Sequence, residues 1–163
     1  IDRDGWFHTG DAGYLKDSHL YLTERIKDLF KTSNGKYISP QALETKLAID
    51  RYIDQIAVIA DERKFVSALI VPVYGFVKDY AKEKGIAYSN MDELLQHPKI
   101  QALFRARIDT LQQQFAHYEQ VKRFTLLTEP FSMERGELTN TLKLKRSVVA
   151  KNYKGLIDKM YEE

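Results

Sequence analysis

Two side chains near the start of the chain have the chemistry to hold a sugar or a phosphate. Asp11 closes the turn-rich run Asp4-Gly5-Trp6-Phe7-His8-Thr9-Gly10-Asp11, and Arg25 lies in Thr23-Glu24-Arg25-Ile26-Lys27-Asp28. A carboxylate on turn backbone accepts two hydroxyl hydrogen bonds, as a ribose diol offers them. A guanidinium supplies a planar fork of donors to the same sugar or to a phosphate. Taken alone, the commoner explanation of these residues is a Gly-Asp turn and a solvated ion pair. A second group is Asn34-Gly35-Lys36-Tyr37, where a glycine lets a narrow ligand approach the backbone and Lys36, with Lys31, could meet phosphates. In isolation Asn34-Gly35 is also an ordinary turn. A third is Lys143, Lys145 and Arg146, either a solvated basic edge or a point charge set for catalysis. The four histidines, His8, His19, His97 and His117, show no metal-ligand spacing, and no Ser-His-Asp arrangement is present. No metal site is expected.

These groups need elements to carry them. Residues 5–23 read as a hairpin: Gly13-Tyr14-Leu15, a polar turn at Lys16-Asp17-Ser18, then His19-Leu20-Tyr21-Leu22-Thr23. A second small hairpin is expected around Asn34-Gly35, followed by a helix capped by Ser39 with Pro40 at its first position. Residues 55–60 and 65–73 are rich in β-branched residues around a charged turn, a third hairpin that Pro72 limits. From about 75 to 120 the period becomes helical. A stripe of Ile100, Leu103, Phe104, Ile108, Leu111, Phe115 and Tyr118 predicts one long helix that packs into the core. Residues 122–128 read as a further strand, and 147–161 as a closing helix pair broken at Gly155. The sum is an α+β fold, a small β-sheet with packed helices.

With 163 residues and 44% apolar content, the chain is long enough for one domain with a real core. Against 25 basic side chains stand 23 acidic ones, a net charge of +2, which leaves no footprint for nucleic acid. The absence of cysteine excludes a disulfide framework. No apolar run approaches membrane-spanning length and no secretory signal is visible, so a cytoplasmic protein is expected, with peripheral membrane contact left open.

In order and spacing, Gly5-Trp6-Phe7-His8-Thr9-Gly10-Asp11-Ala12-Gly13, Glu24-Arg25-Ile26-Lys27-Asp28 and Gly35-Lys36-Tyr37-Ile38-Ser39-Pro40 resemble the adenylate-forming superfamily. Gly136-Glu137-Leu138-Thr139-Asn140-Thr141-Leu142-Lys143-Leu144-Lys145-Arg146 resembles its C-terminal lysine motif, with Leu142 where the family carries glycine. The details are most similar to the long-chain fatty acid–CoA ligases. The resemblance implies that residues 1–26 are the tail of a large N-terminal adenylation domain. It further implies that residues 27–163 are the C-terminal mobile domain, with a helical insertion at about 75–120. It implies ATP with Mg2+, coenzyme A and a fatty acid as reactants, and the chain's own N-terminal domain as partner. The superfamily's Gly-rich phosphate loop is not in these residues, so the chain is expected to be an excised fragment, inactive alone.

The same resemblance assigns Lys143 to catalysis of adenylation, Lys27 to the hinge, Asp11 and Arg25 to the nucleotide, and Gly35 and Lys36 to coenzyme A. One orientation brings Lys143 to the reaction; rotation about Lys27 then withdraws it and inserts the Gly35 loop for thioester formation. Two alternatives remain. One is an adenylate-former that loads a carrier protein. The other is a non-catalytic module whose basic ends, Lys143-Lys145-Arg146 and Lys122-Arg123, dock on anionic membrane or RNA.

Overall fold

The computed structural model describes residues 1–162; Glu163, the last residue of the expected C-terminal domain, lies outside the described residues. The chain opens on an antiparallel hairpin, β1 (Asp11–Lys16) and β2 (His19–Arg25). Asp17 and Ser18 both have left-handed backbone, φ 49° and 62°, the twist that a two-residue hairpin turn requires. A β-carbon on Gly13, at the bulge, would stand 2.6 Å from the Tyr21 carbonyl oxygen, so glycine lets the strands close there. Tyr14 and Tyr21 stack across the ribbon with ring centroids 5.2 Å apart, while Leu15, Leu20 and Leu22 stay exposed. This hairpin therefore has no core of its own.

A 3-10 turn at Ile26–Asp28 leads to the second hairpin, β3 (Phe30–Lys31) and β4 (Tyr37–Ile38). Its register faces Phe30 and Ile38 inward and Lys31 and Tyr37 outward. Helix α1 (Pro40–Leu47) starts as expected, with the Ser39 hydroxyl accepting the Ala42 N–H at 3.2 Å. Strands β5 (Ile53–Ile59) and β6 (Val66–Pro72) pair antiparallel. Three helices follow, α2 (Tyr74–Glu83), α3 (Met91–Gln96) and α4 (Pro98–Leu111). The chain then returns as β7 (Val121–Leu126), parallel to β6, and closes with α5 (Arg146–Asn152) and α6 (Lys154–Tyr161).

The sheet order β5-β6-β7 makes β6 the central strand, and every one of its residues is buried. Period-2 alternation sends Ile56, Val58, Ala68 and Ile70 to one face, against Leu43 and Leu47 of α1, Val77 of α2 and Phe104 of α4. Ala57, Leu69 and Val71 face the other side, against Val149 of α5 and Ile157 and Met160 of α6. Two apolar layers, one on each face, hold the sheet.

Two boundaries differ from the sequence pattern. Helix α4 stops at Leu111, so Phe115 and Tyr118 lie in the connection to β7 rather than on the helix. The cause is Gln112, which is buried: its side-chain oxygen accepts the Val121 N–H at 2.8 Å, and its amide donates to the Val121 carbonyl at 3.3 Å. That side chain pairs with Val121 as a strand residue would and draws the backbone out of the helix. The closing pair breaks at Tyr153, whose ring packs edge-on to Phe131 at 5.7 Å, and Gly155 lies inside α6.

Candidate functional site

Residues 137–145 form a loop closed on itself. Leu138 and Leu144 make a single antiparallel bridge, and inside it the Thr139 N–H donates to the Lys143 carbonyl at 2.8 Å. The Thr139 hydroxyl oxygen accepts the amides of Thr141 and Lys143 at 3.3 and 3.0 Å. Leu144 points toward the apolar layer under α5, so its neighbours Lys143 and Lys145 face outward. Only Lys143 of the two lines a cleft of about 580 Å³, whose walls include Asp28, Pro40, Gln41, Glu44, Arg146 and Ser147. Among the described residues nothing bonds to the Lys143 ammonium.

Leu142 takes φ 59° in this turn, a conformation that costs an L residue about 1 kcal/mol and glycine almost nothing. The observed geometry thus accounts for glycine at this position in the related motif. In an ordinary exposed loop alanine is the more stable choice over glycine by about 0.4–1 kcal/mol. Here the order reverses: Leu142→Gly is expected to be more stable than Leu142→Ala, as urea unfolding of the two variants will read. Alanine more stable than glycine would mean that the turn is not held left-handed in solution.

Two polar nodes anchor the loop. Glu137 is completely buried and accepts from Arg135 at 3.0–3.2 Å, from the Asn152 side chain at 3.1 Å and from the Ser132 N–H at 3.0 Å. Burial pushes its carboxyl pKa up, but the hydrogen bonds from Arg135, Asn152 and Ser132 outweigh burial and hold it below the usual value. At the first residue of α5, Arg146 grips Glu44 of α1 with two bonds of 2.6 and 2.7 Å and lies over the Phe30 ring at 5.5 Å. Glu44 also accepts the Val58 N–H of edge strand β5 at 2.8 Å. One carboxylate therefore ties α1, the sheet and the segment that carries Lys143.

The remaining residues singled out in the sequence fall in two other places. Asp11 and Arg25 face each other across the mouth of the first hairpin, at 3.2 Å, both still accessible. Lys27 is exposed in the 3-10 turn between the hairpins. Gly35 has φ 75° with open space around it, and Lys36 follows it; the Thr32 hydroxyl ties the turn by accepting the Lys36 N–H at 3.1 Å. The structure brings Lys143 and the neighbour of Lys27, Asp28, to one cleft, and neither Gly35 and Lys36 nor Asp11 and Arg25 line it. Among the described residues no three His, Asp or Glu side chains gather to hold a metal ion.

A family model described as the AMP-binding enzyme C-terminal domain matches residues 27–163. The chain belongs to that family. Long chain acyl-CoA synthetase 7 of Arabidopsis thaliana, a peroxisomal protein, is 35% identical over 167 residues that take in all of this chain and 24% of its own length. Long-chain-fatty-acid–CoA ligase 5 of Rattus norvegicus is 36% identical over 169 residues, 99% of this chain and 24% of that protein. The chain thus spans about a quarter of the length of the curated relatives it matches. Among solved structures, the adenylation domain of a carboxylate reductase from Mycobacterium chelonae superposes with a TM-score of 0.78 at 25% identity, over 100% of this chain and 24% of that one. The small mixed sheet with packed helices is the architecture of the C-terminal domain of adenylate-forming enzymes. No helix among the described residues is long and apolar enough to cross a membrane.

The sequence pattern does not reveal the Glu137 and Glu44 nodes. Glu137 sits inside a quoted motif, but nothing local marks its carboxylate as interior, because Asn152 reaches it from fifteen residues further on. The partners Glu44 and Arg146 are 102 positions apart. An inward-facing glutamate on α1 beside Leu43 and Leu47 is the only local sign, and it is weak.

Proposed function

We propose that this chain is the C-terminal part of a long-chain fatty acid–CoA ligase, with residues 1–26 belonging to the preceding adenylation domain and 27–163 forming the mobile domain. The whole enzyme would convert fatty acid, ATP and coenzyme A into acyl-CoA, AMP and pyrophosphate through an acyl-adenylate, with Mg2+ accompanying ATP. The observation that carries this reading is Lys143, an ammonium with no bond among the described residues, held by a closed turn at the edge of a cleft. Negative charge builds where a carboxylate meets the α-phosphate, and a positioned ammonium stabilises that charge most in the transition state. Asp11 and Arg25 would take the ribose, their exposed pairing costing little to open. Lys27 would be the hinge, since an exposed lysine tolerates both orientations. Gly35 and Lys36 would meet the pantetheine chain and phosphates of coenzyme A. Exposed Trp6, Phe7, Leu15, Leu20 and Leu22 on and beside the first hairpin support a partner domain outside this chain. The compartment proposed is the cytoplasm, with peripheral membrane contact.

The test is the intact enzyme given fatty acid, ATP, Mg2+ and either coenzyme A or a phosphopantetheinyl carrier protein. Acyl-CoA, AMP and pyrophosphate are expected. Acylated carrier without acyl-CoA would replace this reading by a carrier-loading one. No turnover, together with salt-dependent binding to anionic vesicles or RNA that survives loss of Asp11 and Arg25, would leave the binding module.

A further inference from the structure

Three loop tips converge at the Gly35 end of the sheet. The β3–β4 turn is fastened to the β5–β6 turn: the Ser33 N–H donates to the Arg63 carbonyl at 3.0 Å, and the Asn34 side chain to the Lys64 carbonyl at 3.4 Å. Val66 pairs with Val121, which brings the α4–β7 connection to the same end. That connection delivers Tyr118 to the Lys36 ammonium, 5.5 Å from the ring centroid, and across the small hairpin Lys31 lies 5.9 Å over Tyr37. Tyr37 is 58% exposed and Tyr118 46%, so both rings keep a face in water. Beside Tyr118, the Lys122 ammonium sits 3.0 Å from His117 Nε2. Two carboxylates in this region accept from backbone. Asp61 accepts the Lys31 N–H at 3.3 Å and Glu119 accepts the Ala116 N–H at 2.9 Å, so neither caps an ammonium by these bonds.

Exposed aromatic faces with ammoniums beside them are a recipe for a nucleotide, because a base stacks on the ring and phosphates meet the cations. We infer that Tyr118, Lys122 and Lys36 form a binding site for the adenosine bisphosphate end of the thiol acceptor, with the pantetheine arm running from there past Gly35. The inference rests on the coenzyme A reading above and adds to it the α4–β7 connection, which that reading does not use. It explains what the early end of α4 achieves: Gln112 turns the chain so that Tyr118 leaves the core stripe and meets Lys36.

The experiment measures kcat/KM for coenzyme A and for pantetheine, which lacks the nucleotide, in the intact enzyme. The coenzyme A to pantetheine ratio is expected to fall about tenfold in Tyr118→Ala, the loss of one stacked base, and to fall again in Tyr118→Ala/Lys122→Ala. Tyr118→Phe, which keeps the ring, should restore it. An unchanged ratio in both alanine variants overturns the inference while acyl-CoA formation by the wild type leaves the ligase reading intact. A wild-type enzyme that uses pantetheine as well as coenzyme A also overturns it, and one that uses neither removes the reading on which it rests.

Discussion

Lys143→Ala in the intact enzyme is expected to lower fatty-acid-dependent ATP–pyrophosphate exchange by about 10²–10³-fold, the usual loss when one preorganised charge donor is removed from a transition state. Thioester formation from preformed acyl-adenylate is expected to survive, because in that step the proposed rotation has withdrawn the lysine. The structure sharpens the choice between the two candidate lysines. Lys145 caps α5: its N–H donates to the Glu137 carbonyl at 2.8 Å and its carbonyl accepts from Val148 and Val149. Lys143 instead stands in the cleft with no bond to its ammonium among the described residues. Lys145→Ala is therefore the comparison, with a much smaller loss of exchange. If Lys143→Ala leaves both half-reactions unchanged, the assignment of the lysine motif is wrong; if it abolishes both, the two-orientation scheme fails because the lysine serves each step.

The fold was readable where its causes are local. Ser39-Pro40 starts a helix by capping alone, Asp17-Ser18 turns a hairpin, and the β-branched runs before and after Asp61 pair across a short turn. Periodicity failed at Gln112, where a side chain hydrogen-bonds as a strand would and ends a helix whose apolar stripe continues to Tyr118. The same limit applies to the site. Lys143, Gly35 and Asp11 were visible as residue types in order, and Leu142 was visible as a departure from a glycine whose reason, a positive φ, only the backbone shows. What holds these residues in place was hidden. Arg146 and Glu44 meet across most of the domain, and the burial of Glu137 depends on a helix that follows it.

That burial sets the second large effect. Glu137→Ala removes the acceptor shared by Arg135, Asn152 and the Ser132 amide, and breaking a buried charge pair from one side costs about 3–5 kcal/mol. The lower end applies, since the Arg135 side chain is 38% exposed and recovers water when its partner goes. A melting temperature lower by about 6–12 °C is expected at neutral pH for a domain of this size. Glu137→Gln keeps the shape and loses the charge, which gives the pH test. The folded carboxyl titrates below the usual 4.5, so its stabilisation is complete above that value and disappears as pH falls through the folded pKa. The melting difference between wild type and Glu137→Gln should be constant from pH 8 to 6 and shrink below about pH 4.5. A difference that stays flat from pH 8 to 3 would mean that folding does not shift the carboxyl pKa, and one that grows as pH falls from 8 would mean that the carboxyl is protonated when buried. Because the Glu137 side chain ties the start of the Lys143 loop to Ser132, Arg135 and Asn152 of α5, the same variants should lose adenylation even at temperatures where they remain folded. Stability and catalysis thus meet in one residue that touches no substrate, and full exchange in a folded Glu137→Ala enzyme would separate them.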